Sequence, residues 1–413
     1  MRQQPYLLFI LLAASQYGHA DFPLSLDGRG ELETLNMREN ATPDNNQQIT
    51  LDMKINADTT ENISFKSDLR ARHNDNLDEK SVFICREAYF SGNTSLADIK
   101  FGQQIFAWGR SDIVNAADFS RRNYLDPLDD DAEKLGNLAL SAKFYRESYS
   151  VEPLLIPIYQ SSELPVVNNP WALLQDGPGI HYRIVDDHPD NNVANLQYGF
   201  RVDAQFTGID AGFSFFNGWN DIPSYQAETQ LSPSGALVTL HAQPYRIRTY
   251  AADMAYLLGS YSGRAELTYI QTEDTAAQNP QIDDPYYHLV LGIDKQISNV
   301  LQDVDAFMLV EWSHQFKTSD IQYQISDLDH IFENTIFVRA RLERASQWQL
   351  KLDLAYDLEN DGYFIRPGLK KEWSDVLSSD LQIEWLNGQN YSFFGHFKNN
   401  SAVRFRLDYR FGN

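Results

Sequence analysis

Segment 107–135 concentrates charge of both signs. Arg110, Arg121, Arg122 and Lys134 stand among Asp112, Asp118, Asp126, Asp129, Asp130, Asp131 and Glu133. Opposed charges in a narrow, partly desolvated passage set up a transverse field that orients and selects polar solutes. The plainer reading of the same residues is a surface loop with solvated charges. The run Asp126 to Glu133 has the carboxylate density of a calcium loop. It lacks the turn glycine and the alternating ligand spacing of an EF-hand, so no metal site is assigned.

A second set of charged residues recurs at every other position. Arg70 and Arg72, Arg339 and Arg341, and Arg404, Arg406 and Arg410 each share a face if the chain is extended there. With Lys54, Lys66 and Lys351 they outnumber Asp52, Asp68, Glu343, Asp353, Asp357 and Asp408 on the same faces. Arginines lining a pore favour anions, and their planar forks suit carboxylates. The alternative is structural: mixed charges pair between strands and brace a wall, each pair contributing ~0.2–1 kcal/mol.

Catalytic signals are weak. There is no G-x-S-x-G elbow, H-E-x-x-H or P-loop. His181 and His188 flank Asp186 and Asp187, a grouping that could hold a metal or a base but equally suits solvated surface. The single cysteine, Cys85, excludes a disulfide framework and a Cys-based zinc cluster. With 57 acidic against 34 basic residues and a formal charge of −23, nucleic acid is not an expected partner. No cofactor is implied. Aromatics at 13% exclude a disordered chain.

The elements that must position these groups are strands. Ile49, Leu51, Met53 and Ile55 alternate with Thr50, Asp52, Lys54 and Asn56, and the closing run alternates Val403, Phe405, Leu407, Tyr409 and Phe411 with Arg404, Arg406, Asp408 and Arg410. Such runs last ~9–12 residues, enough to cross a tilted bilayer and longer than the ~5–6 of soluble strands. Eighteen are predicted, near 28–38, 46–56, 62–73, 82–91, 95–106, 136–146, 149–160, 195–207, 209–216, 244–258, 260–274, 285–298, 303–317, 332–345, 347–358, 362–373, 377–387 and 401–411. Long connections (107–135, 161–194, 217–243, 318–331) mostly alternate with very short ones.

This pattern predicts an all-β fold, a transmembrane antiparallel β-barrel of 16–18 strands. Pro153 and Pro157 inside one run, and the short connection 359–361 where a long one is due, sit awkwardly in it. Aromatics near strand ends, Tyr286, Tyr287, Tyr363, Phe364, Tyr409 and Phe411, suit a headgroup girdle, while an inward Phe337 could stack on sugar rings.

Arg2, the apolar run Tyr6 to Ala14 and the small residues before Asp21 read as a secretory signal peptide over 1–20. One barrel domain, 21–413, then follows.

The stretch from Phe101-Gly102-Gln103-Gln104 through Trp108-Gly109-Arg110-Ser111-Asp112 to Asp118 resembles a strand-to-loop segment of the alginate-export-like porin group of Gram-negative outer membranes. The ending Phe393-Phe394-Gly395-His396-Phe397-Lys398-Asn399-Asn400, followed by an Arg/aromatic strand, is similar to how those chains finish. The resemblance implies a monomeric barrel that passes solutes, inserted by the barrel-assembly machinery. By analogy it also implies that 107–135, the third long connection, folds inward and narrows the pore. Phe411 is followed by Gly412-Asn413, a departure from the usual terminal aromatic.

The expected function is passive, charge-biased diffusion of small polar or anionic solutes, such as carboxylates or acidic saccharides. The surroundings would be outer-membrane lipid, with lipopolysaccharide bridged by divalent cations to an acidic mouth. The rival readings are a secreted carbohydrate-binding β-protein and a barrel hydrolase.

Overall fold

The computed structural model describes residues 24–37, 45–74, 81–129, 133–233, 235–276, 278–317, 328–345 and 347–412. The expected signal segment 1–20, Asp130, Asp131 and Asn413 lie outside the described residues. Eighteen antiparallel strands form one sheet. Nine lie in the first half: β1 (Leu24–Met37), β2 (Asn45–Thr60), β3 (Ile63–Asn74), β4 (Ser81–Asn93), β5 (Ala97–Gln104), β6 (Asn137–Tyr145), β7 (Tyr149–Ile156), β8 (Gln197–Phe206) and β9 (Ile209–Trp219). The rest are β10 (Arg246–Leu258), β11 (Tyr261–Thr272), β12 (Tyr286–Leu301), β13 (Val304–Lys317), β14 (Asn334–Arg344), β15 (Trp348–Asp357), β16 (Tyr363–Glu372), β17 (Leu377–Asn387) and β18 (Ala402–Gly412).

Every strand pairs with its chain neighbours. The sheet closes where β1 meets β18 in a register running from Asp27 opposite Gly412 to Met37 opposite Ala402. Closure leaves no edge, so the strand backbone is satisfied within the wall. All eighteen strands expected from the alternation are therefore present. The connection 358–362 falls on the same end as the long loops, so its brevity does not break the parity.

The two awkward prolines have a local explanation. β7 stops at Ile156, before Pro157. Pro153 sits in the ladder with β8, opposite Phe200, while the β6 pairing is interrupted between the Leu154 and Val151 partners. The missing N–H thus falls where no bond is made. Pro367 does the same, pairing with Leu352 of β15 at a gap in the β16–β17 register.

The polarity is inside out. On β17, Leu381, Ile383 and Trp385 point outward, Trp385 being 56% exposed, while Asp380, Gln382 and Glu384 face inward, Glu384 being 3% exposed. β18 repeats this with Val403, Phe405 and Leu407 against Arg404, Arg406 and Asp408. An apolar belt around a polar, well-packed interior is the arrangement a bilayer requires.

Alternation also corrects the aromatic girdle. Tyr287 is 44% exposed on the outer face, but its neighbour Tyr286 is 8% exposed and faces inward, since adjacent strand residues take opposite sides. Phe364 likewise turns inward, into a cluster with Trp171, Phe337, Phe393 and Phe394. Phe337 packs against Phe332 there, at 5.0 Å between ring centres. Cys85 packs in the wall with Leu69 and Ala88.

Three of the connections hold structure the alternation did not announce. Ile180–Asp186, Ser224–Ser232 and Gly235–Gln243 form a three-stranded sheet over the loop end, with 180–186 running parallel to 235–243. Residues 393–396 form one helical turn, capped by Ser392 accepting from the Gly395 amide at 3.0 Å.

Candidate functional site

The connection 105–136 crosses between opposite sides of the barrel. Its entrance is apolar: Phe106, Trp108 and Phe119 pack with Leu154, Ile156, Phe216 and Ile247. Phe119 stacks on Phe216 with ring centres 4.2 Å apart. The reversal of the loop is then held by two wall carboxylates. Glu266 of β11 accepts from the amides of Arg110, Ser111 (2.5 Å) and Ala116 (3.1 Å). Glu311 of β13 accepts from Asp112 (3.0 Å), Ile113 (3.2 Å) and Val114 (2.7 Å). Both oxygens of each group accept, the pattern of ionised carboxylates.

Side chains reinforce the same wall. Arg110 reaches Asp203 of β8 at 3.0 Å and Asp253 of β10 at 2.7 Å. Asp253 also takes a two-pronged contact from Arg201, at 2.8 and 2.9 Å. Gly212 of β9 faces this pair so closely that an added Cβ would collide with the Arg201 guanidinium and the Asp253 carboxylate. Gly212→Val is therefore expected to lower the unfolding temperature of the folded barrel by several degrees, read by heat-dependent gel migration. An unchanged midpoint would show that the pair can move aside. Arg264 of β11 bridges Asp112 of the loop and Asp294 of β12.

The returning half binds the other side. Asp126 meets Arg404 at 2.5 Å, Asp129 meets Arg406 at 2.5 Å, and the Leu128 carbonyl accepts from Arg366 at 2.5 Å. Glu133 contacts Arg70 at 3.2 Å and Arg72 at 3.8 Å. Arg70 also bonds Asp52 at 2.6 Å. Arg404 is further enclosed by Glu33 of β1 (3.0 Å) and Glu384 of β17 (2.9 Å).

The expected site residues therefore divide into three groups. Arg110 and Asp112 stand on the β8–β13 side, and Asp126 and Asp129 on the β18 side. Arg121 and Arg122 belong to the loop's base. Arg121 donates to the carbonyls of Ser161 (2.7 Å) and Gly136 (3.0 Å), and Arg122 pairs with Asp118 (3.0 Å). Burial alone would raise the Asp118 carboxyl, but Arg122 and Lys134 outweigh it and hold that carboxyl below the usual range.

Of the wall arginines, Arg339 and Arg341 both grip Asp353 at 2.9 Å. Arg410 is exposed near the turn end of β18, opposite Arg29 in register. The loop histidines lie apart: His181 approaches Asp176 (3.6 Å) and His188 approaches Asp186 (4.0 Å). No group of three or more metal-ligating side chains occurs among the described residues.

Sequence reasoning missed Glu266, Glu311, Asp203, Asp253, Arg201, Arg264 and Arg366. All lie within predicted strands. A lone acid at an inward position such as Glu266, between Ala265 and Leu267, was the signal available.

Beside the loop, a cavity of about 330 Å³ opens toward β9–β16. Ile113, Val114 and Phe119 of the loop line it, with Ile247, Ile270, Phe332 and Phe337 across from them. A smaller one of about 70 Å³ lies on the β1–β3 side among Arg29, Arg70, Arg72, Glu133, Arg404 and Arg406.

No protein-family model matches the chain, and no curated protein matches it. Solved structures do. OccAB1 of Acinetobacter baumannii superposes with a TM-score of 0.55 at 8% identity, covering 96% of this chain and 98% of that one. OpdK of Pseudomonas aeruginosa, solved with vanillate, gives a TM-score of 0.54 at 7% identity, covering 95% and 99%. These neighbours are outer-membrane porins, and at such identities the likeness is one of fold: this chain is an 18-stranded antiparallel barrel of the outer-membrane kind.

Proposed function

We propose that this protein is a single-chain channel of a Gram-negative outer membrane, passing small polar solutes by diffusion through a lumen narrowed by 105–136. The observation that carries this reading is the loop's double attachment. Its tip is hydrogen-bonded to Glu266 and Glu311 on one side, and Asp126 and Asp129 are ion-paired to β18 on the other. A segment fixed at both sides narrows a barrel without sealing it, and the 330 Å³ space beside it has the scale of a small-solute site.

Export by the 1–20 signal, monomeric insertion by the assembly machinery, lipopolysaccharide around the loop end and kinship with the alginate-export-like group belong to the same proposal. A charge bias belongs to it too. The arginines that suggested anionic solutes, Arg410 apart, are bound to carboxylates, so the sign of that bias must be sought in the lining of the passage.

Planar-bilayer recording tests the channel. Refolded, heat-modifiable protein is expected to give discrete conductance steps. Folded protein without steps would overturn the channel and leave a hydrolase or an adhesive surface protein. A protein with no detergent-dependent folded band would instead be a soluble β-protein.

A further inference from the structure

The cavity between the loop and β9–β16 carries a charge census that the sampled strands did not reveal. Six carboxylates line it: Asp112, Asp118, Asp126, Asp129, Asp221 and Asp353. Three guanidiniums do: Arg122, Arg339 and Arg366. Each of the three already has a carboxylate beside it, Arg122 on Asp118 at 3.0 Å, Arg339 on Asp353 at 2.9 Å and Arg366 on Asp353 at 3.5 Å. An entering carboxylate would have to compete with a fixed one at every arginine.

An entering cation also meets paired carboxylates, such as Asp126 on Arg404 and Asp129 on Arg406, but one of them is less fully compensated. Asp112 has the most exposed carboxylate for which an ion pair is recorded on this lining, at 37% against 30% for the Arg339 side chain. Its ion-pair partner, Arg264, is shared with Asp294, so two carboxylates divide that guanidinium, with Arg339 adding a weaker attraction. Behind them, Glu266 and Glu311 are satisfied by backbone amides, which supply hydrogen bonds but no net charge. The rest of the lining mixes neutral polar groups, such as Asn115, Asn220 and Thr249, with apolar and aromatic ones, Phe332 and Phe337 among them. Aromatic faces attract cations and repel anions.

We infer that this cavity is a binding site for small organic ammonium ions with an apolar body, and that the channel prefers cations. The inference rests on the channel reading and adds the solute class to it. An ammonium group would settle on the exposed, cavity-facing side of the Asp112 carboxylate, with its apolar part against Ile113, Phe332 and Phe337. The −23 formal charge of the chain acts in the same direction.

The test uses wild-type protein in a planar bilayer, with benzylammonium chloride and sodium benzoate as probes. A KCl gradient is expected to give a reversal potential of cation-selective sign. Benzylammonium is expected to block the current at lower concentration than benzoate. Asp112→Asn, checked for folding by heat-modifiability, is expected to weaken the benzylammonium block by about twofold or more, the effect of one charge at roughly 8 Å in water. An anion-selective reversal potential, or benzoate blocking as well as benzylammonium, would overturn the inference while leaving the channel intact. Absence of any conductance steps from folded protein would overturn the channel reading itself. The wild-type comparison needs no variant to fold.

Discussion

Changing both Glu266 and Glu311 to Gln is expected to raise single-channel conductance at least twofold and to make the open current noisier. Each carboxylate accepts from three loop amides with both of its oxygens. An amide keeps one acceptor and presents N–H₂ where the second oxygen stood, so roughly half the loop amides would face a donor. Hydrogen bonds to charged acceptors contribute ~1.5–3 kcal/mol each. Losing even two shifts the balance between attached and released loop by ~3 kcal/mol, on the order of a hundredfold.

The barrel wall would remain, because the strand ladders do not involve these side chains. Heat-modifiability should therefore persist while the current changes. A folded double variant with wild-type conductance would show that the aromatic entrance and the Asp126 and Asp129 pairs hold the loop without the carboxylates. The single variants separate the two attachments. Glu311→Gln frees the Asp112 to Val114 amides, and Glu266→Gln frees those of Arg110, Ser111 and Ala116.

These two acids also mark where the sequence stopped being legible. The eighteen strands could be read because the period of two is local: Val403 to Phe411 declares its two faces without reference to any other part of the chain. The partners of Glu266 and Glu311 are 150–199 residues away, and no spacing rule encodes them.

The sequence offered a one-sided sample of the lumen's charge for a related reason. The five strands with the clearest alternation, β2, β3, β14, β15 and β18, together carry more basic than acidic residues on their charged faces. The strands that carry Asp203, Asp253, Glu266, Asp294 and Glu311 alternate less cleanly, with glycines such as Gly199, Gly263 and Gly292 on their inner or outer faces. Sampling the legible strands therefore selected one side of the barrel. The sheet over the loop end was missed because its outer strand, 180–186, joins the 224–243 hairpin in parallel. Ile180 stands opposite Ala236 across more than fifty residues, with no tight turn to announce it. Arg121 and Arg122 were grouped with the constriction by their place in the same segment, and Arg122 does line the cavity beside it. The two-residue ladder with Lys134 and Leu135 ties them to the loop's base.

Replacing Arg404 with Met is expected to produce the largest loss of stability of any single wall substitution considered. Arg404 sits at the closing seam of the barrel, on β18 between β1 and β17. Its guanidinium serves Glu33 at 3.0 Å, Glu384 at 2.9 Å and Asp126 at 2.5 Å. All but Asp126 are buried, so removing the cation leaves carboxylates facing one another away from bulk water. Removing one partner of a buried pair costs ~3–5 kcal/mol. Arg406 compensates Glu33 in part, at 2.5 Å, but has Asp129 to satisfy as well.

The loss should appear as a lower temperature for disappearance of the fast-migrating folded band, and as a lower denaturant midpoint by tryptophan fluorescence. Adding Glu384→Gln to Arg404→Met should recover part of the loss, because the penalty lies in the stranded charge rather than in the missing contact. Arg410→Met provides the contrast. That residue is exposed on the same strand and the same face, so its change should stay within about 0.5 kcal/mol. Equal effects at 404 and 410 would mean that water reaches the seam freely and that the arginine network contributes to conduction rather than to closure.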